Sequence, residues 1–178
     1  MSEVFPLTRL FDRFGVTAYG RLAFGVAGAT LILDQLSKWW VVHVLHLPER
    51  FQIEVAPPIF NLSMVWNHGV TFGMFRDSGQ VGRWLLVLVA CVAVAALIYF
   101  ARSAQRLIPA VGMGLILGGA IGNNLIDRVF IGAVADFLDF SGLHFPWVFN
   151  VADMAIDIGV ACLAADLLGL EPSAPKKA

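Results

Sequence analysis

The chain has 178 residues, 58% of them hydrophobic and 14% charged, and a net charge of −1 at pH 7. Charged residues make up about a quarter of an ordinary soluble chain, and here the apolar excess is gathered into long runs, so the composition points to a single membrane domain. The near-zero charge argues against a nucleic-acid partner, and the two cysteines, Cys91 and Cys162, both lie in apolar runs and read as buried thiols rather than a disulfide framework.

Four runs come close to the roughly 20 residues that cross about 30 Å of hydrocarbon. They are residues 20–42, 81–100, 107–126 and 149–170. The expected architecture is an all-α membrane protein of one domain, 1–178. It has four transmembrane helices, a small extracytoplasmic β-rich cradle and loop, and a disordered tail, 171–178. The first run is too long for a cleavable signal peptide, and polar DQLSK (34–38) interrupts it. Arg9, Arg13, Arg21, Arg102, Arg106, Lys176 and Lys177 fall on one side, against Lys38, Arg50, Arg76, Arg83 and Arg128 on the other. The excess of cations places both termini in the cytoplasm. Loops 43–80 and 127–148 then face outward.

In the first outer loop, FQIEV (51–55) and IFNLSMVWN (59–67) have β character and are separated by Pro57-Pro58. Trp39, Trp40, Trp66, Trp84 and Trp147 fall near the outer ends of the runs, where amphipathic rings suit the headgroup zone. The third run spaces Gly114, Gly118 and Gly122 four apart, a small-residue face that lets helices approach closely.

Several polar residues stand in or beside these runs. Asp34 and Lys38 share a helix face and can neutralise each other, as a structural ion pair or as part of a site. Asn123, Asn124, Asp127 and Arg128 end the third run, where Asp127 and Arg128 can serve simply as a stop at the interface. Asn150 has the position of an N-cap for the fourth run, which would put Asp153 in the first helical turn, near the positive end of the helix. Asp136 has no such local explanation. Asp139 is expected to be an exposed residue of the same loop. Asp157 lies four beyond Asp153 on the same face and reads as a protonated, hydrogen-bonded side chain.

The chemistry available to these residues is narrow. There is no HExxH, His43, His46, His68 and His144 are scattered, and a zinc site is not expected. No GxSxG marks a serine nucleophile, and no glycine-rich phosphate loop follows a strand. No cofactor is implied. Among hydrolytic mechanisms, paired carboxylates remain, and two of them about 3 Å apart hold one proton between them.

The ordered series DQLSK (34–38), WNHGVTFGMF (66–75), GGAIGNNLIDR (118–128), VADF (134–137) and FNVAD (149–153) resembles the lipoprotein signal peptidase, or signal peptidase II, family. Each block alone is weak, but five in order on a chain of this length are specific. The resemblance implies a four-helix aspartic peptidase of the bacterial inner membrane, with its site near the extracytoplasmic face. Such an enzyme cuts the signal peptide from a prolipoprotein just before the diacylglyceryl-modified cysteine. It further implies Asp136 and Asp153 as the catalytic pair. Asp34, Lys38, Asn67, Gly69, Asn124, Asp127, Arg128, Asn150 and Ala152 are implied as supporting residues that shape the pocket and hold substrate backbone. Membrane lipids and globomycin-type peptide inhibitors are the other implied partners, and a monomer is expected. Loop 43–80 is expected to cover the site and to move when substrate enters. The chain departs from the family pattern in three places. GNNLIDR has one residue more than the usual GN, two residues, DR, and Asn124 is the one matched to the family Asn; Asp157 stands where a small or hydroxyl residue is usual; and Ala135 stands where a β-branched residue is common. The competing reading is a non-enzymatic lipid-binding or transport protein with charges lining a path. Inverted repeats or broken spans would support it, and neither is visible in the sequence.

Overall fold

The computed structural model of the protein describes residues 14–69 and 79–170. Residues 70–75 of WNHGVTFGMF, the cations Arg9, Arg13, Arg76, Lys176 and Lys177, and the tail lie outside the described residues.

Helix α1 (Ala18–Trp39) starts at Thr17, whose side chain accepts the Gly20 N–H. The same hydroxyl donates to the Ala104 carbonyl at 2.6 Å, which ties the start of α1 to the turn between the next two long helices. After α1 come a π-helical turn (Trp40–Val44), the short α2 (Leu47–Arg50) and strands β1 (Gln52–Ala56) and β2 (Phe60–Asn67). Helix α3 is Gly79–Ala101. Helix α4 (Leu107–Ala120) runs without a break into a π-helical segment, Ile121–Ile131, and stops at Gly132 with φ +92°. Only a residue without a Cβ takes that conformation at little cost. Strand β3 (Val134–Asp139), a 3₁₀ turn (Ser141–Leu143) and strand β4 (Val148–Phe149) lead into α5 (Val151–Leu167).

The protein is therefore mostly helical, with one small antiparallel sheet of order β1-β2-β3-β4. By length and apolar composition, Gln80–Ala101 and Leu107–Ile131 qualify as membrane-crossing helices among the described residues. Helix α1 carries Arg21, Asp34 and Lys38, and α5 has 17 residues and three aspartates. Charge in one case and length in the other set them apart from these two helices.

Helix α4 sits between α1 and α5, and its glycines explain how closely. A Cβ on Gly114 or Gly118 would lie 2.5 Å from the Ala23 or Ala27 carbonyl oxygen of α1. On the other side, a Cβ on Gly119 would lie 2.6 Å from the Ala152 carbonyl oxygen of α5, and Gly112 and Gly159 face each other across the same contact. Backbone meets backbone here because neither partner has a side chain to interpose. Ala23, Ala27, Met113, Leu117 and Ala120 fill the remaining space. A second core, of Val41, Leu47, Leu62 and Phe137, lies under the sheet.

Three expectations need correcting. Asp139 is buried, 7% exposed, because β3 is an interior strand and the Ser63 hydroxyl of β2 donates to the Asp139 carboxylate at 2.6 Å. Cys91 is exposed on the outer face of α3 rather than buried, and both thiols are free. The third helix does not stop at Asp127 and Arg128 but continues to Ile131. There Arg83 of α3 donates to the Arg128 and Val129 carbonyls at 2.6 and 2.7 Å and satisfies acceptors that the helix end leaves open.

Candidate active site

The polar residues of α1, the π-helical segment, β3 and the start of α5 converge at one end of the helix bundle. Lys38 is at the centre and is 5% exposed. An ammonium group has three donors and no acceptor, and all three are used. Lys38 Nζ lies 2.7 Å from Asp34 Oδ2, 2.6 Å from Asp127 Oδ2 and 2.6 Å from Asn123 Oδ1. Two carboxylates on one ammonium would be costly without further donors. Gln35 supplies them to both, at 3.1 Å to Asp34 and 3.0 Å to Asp127. The other Asp34 oxygen accepts the Ala152 backbone N–H at 3.0 Å. The ion pair on α1 thereby fixes the first turn of α5.

That turn begins with a reciprocal cap. Asn150 Oδ1 accepts the Asp153 N–H at 3.0 Å, and the Asn150 N–H donates to Asp153 Oδ2 at 3.1 Å. The Asn150 side chain also donates from Nδ2 to Asp136 Oδ1 at 2.6 Å. One fully buried asparagine thus touches both carboxylates. The other Asp136 oxygen accepts Asn67 Nδ2 at 3.1 Å, from the end of β2. Register places Asp136 there: Val65 pairs with Asp136 and Asn67 with Val134. Burial, reinforced by the negative charge of Asp153, pushes the Asp136 carboxyl up to about 7 against the two asparagine bonds, which lower it.

Arg128 is 6% exposed. Its Nη2 donates to the Gly69 carbonyl at 2.8 Å and its Nε to Asn124 Oδ1 at 3.2 Å, while Nη1 is buried without a hydrogen-bond partner among the described residues. Gly69 is held in turn by its N–H on Asn67 Oδ1 at 3.1 Å.

Asn67, Asp136 and Asp153 line a cleft of about 860 Å³ whose walls are otherwise mainly apolar and aromatic, including Phe140, Phe145, Trp147, Phe149 and Met154. Phe140 stacks on Phe149 with ring centroids 5.7 Å apart. Asp157 lies on the same wall and is exposed. The site is therefore Asp136 and Asp153 on the wall of a mainly apolar trough, with the buried Arg128 guanidinium near both.

All eleven site residues named from the sequence fall in this region. Asn124 accepts from Arg128 Nε and donates to the Ala120 carbonyl, a place among the supporting groups and not at the two carboxylates. The residue that the sequence reading passed over is Asn123. It bonds both Lys38 and, through Nδ2, Asp153 Oδ1 at 2.8 Å. Its spacing was the available signal, four residues before Asp127 on the face that meets Lys38.

No metal-ligand cluster occurs among the described residues. The family model described as Signal peptidase (SPase) II matches residues 26–169. The chain is 48% identical over 151 residues to the lipoprotein signal peptidase of Caulobacter vibrioides, covering 85% of this chain and 89% of that one. It is 44% identical over 152 residues to that of Methylobacterium sp. (strain 4-46), covering 84% and 90%. Its fold is similar to a solved bacterial membrane enzyme at a TM-score of 0.73 and 27% identity, covering 88% of this chain and 94% of that one. A second such enzyme gives a TM-score of 0.70 at 30% identity. These matches leave the non-enzymatic alternative without support. The chain belongs to the signal peptidase II family, the membrane peptidases that remove signal peptides from prolipoproteins.

Proposed function

We propose that the protein is an aspartic endopeptidase in which Asp136 and Asp153 share one proton and activate water. The observation that carries this reading is Asn150, whose side-chain and backbone N–H groups bond one carboxylate each at the head of the same cleft. Asp153, ionised, takes a proton from a water as the water oxygen attacks the scissile carbonyl carbon. Asp136, whose affinity for a proton is raised, gives its proton to the carbonyl oxygen. Collapse of the tetrahedral species breaks the C–N bond, the leaving amine takes the proton from Asp153, and the hydroxyl proton returns to Asp136.

The bond cut is the one before the diacylglyceryl-modified cysteine. The aromatic and apolar cleft suits a lipidated, membrane-embedded substrate, and Arg128, near both carboxylates, is the cation that would turn to a substrate carbonyl. Asp34, Lys38, Asp127, Ala152, Asn67, Gly69, Asn124 and Asn150 hold these groups in place. The enzyme works as a single-domain monomer in the inner membrane. Its four long helices span the bilayer, both termini are cytoplasmic and the sheet lies on the extracytoplasmic side. Exposed Trp39, Trp40, Trp66, Trp84 and Trp147 fit that depth for the site. Globomycin-type peptides are the expected inhibitors.

The deciding test uses purified Asp136→Asn and Asp153→Asn proteins in detergent micelles with a diacylglyceryl-modified prolipoprotein. Both variants should remain folded and cleave nothing in a single-turnover assay. Cleavage by either at near the wild-type rate would remove the dyad.

A further inference from the structure

The Asn123-Asn124 pair occupies a π-helical segment, where single extra residues are commonly absorbed and which is often found at functional sites. The two side chains go to different places. Asn124 and Arg128 lie on one face, joined at 3.2 Å. Asn123 and Asp127 lie on the next, and both reach Lys38, at 2.6 Å each. Gly119, four residues before Asn123, lies against Ala152 and Ile156 of α5. Asn123 is thus carried by a stretch pressed against α5, within reach of the Asp153 carboxylate.

Its orientation follows from its partners. The Lys38 ammonium can only donate, so it takes Asn123 Oδ1, which leaves Nδ2 facing the other way. There it donates to Asp153 Oδ1 at 2.8 Å. The second Asp153 oxygen is held by the Asn150 N–H. Both oxygens therefore have a fixed partner, one belonging to the cap of α5 and the other linked to the ion cluster. An amide that bonds a charged group at each end cannot flip without losing both bonds.

We propose that Asn123 is a positioning residue for Asp153, an amide whose direction is set by Lys38 so that an N–H is always presented to the second carboxylate. The proposal rests on the dyad reading above. Asn124, one residue on, does a separate job by steadying Arg128, and the π-helical segment lets neighbouring residues serve both. Other charged groups facing Asp153 are Asp34 and Lys38 from α1, Arg128 from the π-helical segment, Asp136 from β3 and Asp157 from its own helix, with Asp127 one step further away on Lys38.

The decisive variant is Asn123→Asp, which keeps size and the acceptor for Lys38 but replaces the N–H donor with a second carboxylate oxygen. If Asn123 merely satisfies Lys38, this change lowers thermal stability, because a third carboxylate joins the ammonium, but leaves kcat near wild type. If it presents a donor to Asp153, kcat falls about 10- to 100-fold with KM within about twofold, the scale of a displaced reacting group. Asn123→Leu, which removes both bonds, should lose a similar amount of kcat. Asn123→Ser, with a hydroxyl that can still donate, should recover part of it. Thermal unfolding of each purified protein in micelles checks folding, and Asn123→Asp alone decides should the leucine variant not fold. Wild-type kcat in Asn123→Asp, with Asp153→Asn inactive, overturns this inference and leaves the dyad standing. Cleavage by Asp153→Asn overturns the dyad instead.

Discussion

Helices α1, α4 and α5 meet at two levels, by opposite means. Around Gly112, Gly114, Gly118 and Gly119 they touch through bare backbone, with a missing Cβ as the condition for contact. One to two turns further on, the same three helices meet through charge, with Lys38 bridging Asp34, Asp127 and Asn123 and the last of these bonding Asp153. Gly122 marks the boundary: a Cβ there would lie 2.6 Å from Asp34 Oδ2. Shape alone can hold helices in an apolar solvent. It cannot orient a carboxylate, which needs donors. The packed level brings the helices to a fixed distance, and the charged level uses that distance to set directions.

Five substitutions and one titration separate the two levels. The largest effect should come from the carboxylates themselves. Asp136→Asn and Asp153→Asn should each cost at least about a thousandfold in turnover, within the range that acid–base groups supply, with thermal stability close to wild type. Loss of folding together with loss of turnover would mean that the carboxylates belong to the scaffold.

Lys38→Met comes next. It leaves Asp34 and Asp127, respectively 0% and 1% exposed, without their cation. Removing one partner of a buried pair costs about 3–5 kcal/mol, so the unfolding midpoint in micelles should drop and turnover should fall with it. Gly114→Val tests the other level. The new side chain meets the Ala23 carbonyl and must move a backbone, at a cost of about 1–3 kcal/mol. Stability should fall while kcat per folded molecule stays near wild type. If kcat fell in Gly114→Val as steeply as in Lys38→Met, the division into two levels would be wrong.

The two levels were unequally legible in the sequence. Glycine spacing and the Asp34–Lys38 spacing are properties of one helix, and they read directly as packing face and ion pair. The Asn150 cap and its Asp153 partner are equally local. What the sequence concealed depends on which element lies opposite. VADFLD has the residues of an interior strand, covered on both sides, so it lacks the alternation that announces a strand and passed as a loop. Asp139 looked exposed because its partner, Ser63, is 76 residues away. Asn123 is hidden because its partners, Lys38 and Asp153, lie 85 and 30 residues away on other helices. Cys91 sits in an apolar run that faces outward, and apolar sequence is the same on either side of a membrane helix.

The titration is smaller in effect. Asp136 is raised to about 7, so its proton is present below that pH and lost above it. The proton is needed for the scissile carbonyl, so turnover should fall on the alkaline side, about tenfold per pH unit beyond the limb. A profile flat from pH 6 to 9 would show that Asp136 does not carry the proton.

Asn67→Ala should have the mildest effect and the most specific one. Asn67 donates to Asp136 Oδ2 at 3.1 Å, a bond that favours the ionised form, and it holds Gly69, whose carbonyl receives Arg128. Losing one such bond is worth about 0.5–1.5 kcal/mol, or up to about tenfold in kcat. The two roles separate by direction. Without the donor, Asp136 holds its proton more tightly and the alkaline limb moves to higher pH. Loosening Gly69 and Arg128 instead weakens the grip on substrate and raises KM without moving the limb. A limb that shifted to lower pH would contradict the bonding at Asp136, because only a donor that favours the protonated acid can be lost in that direction.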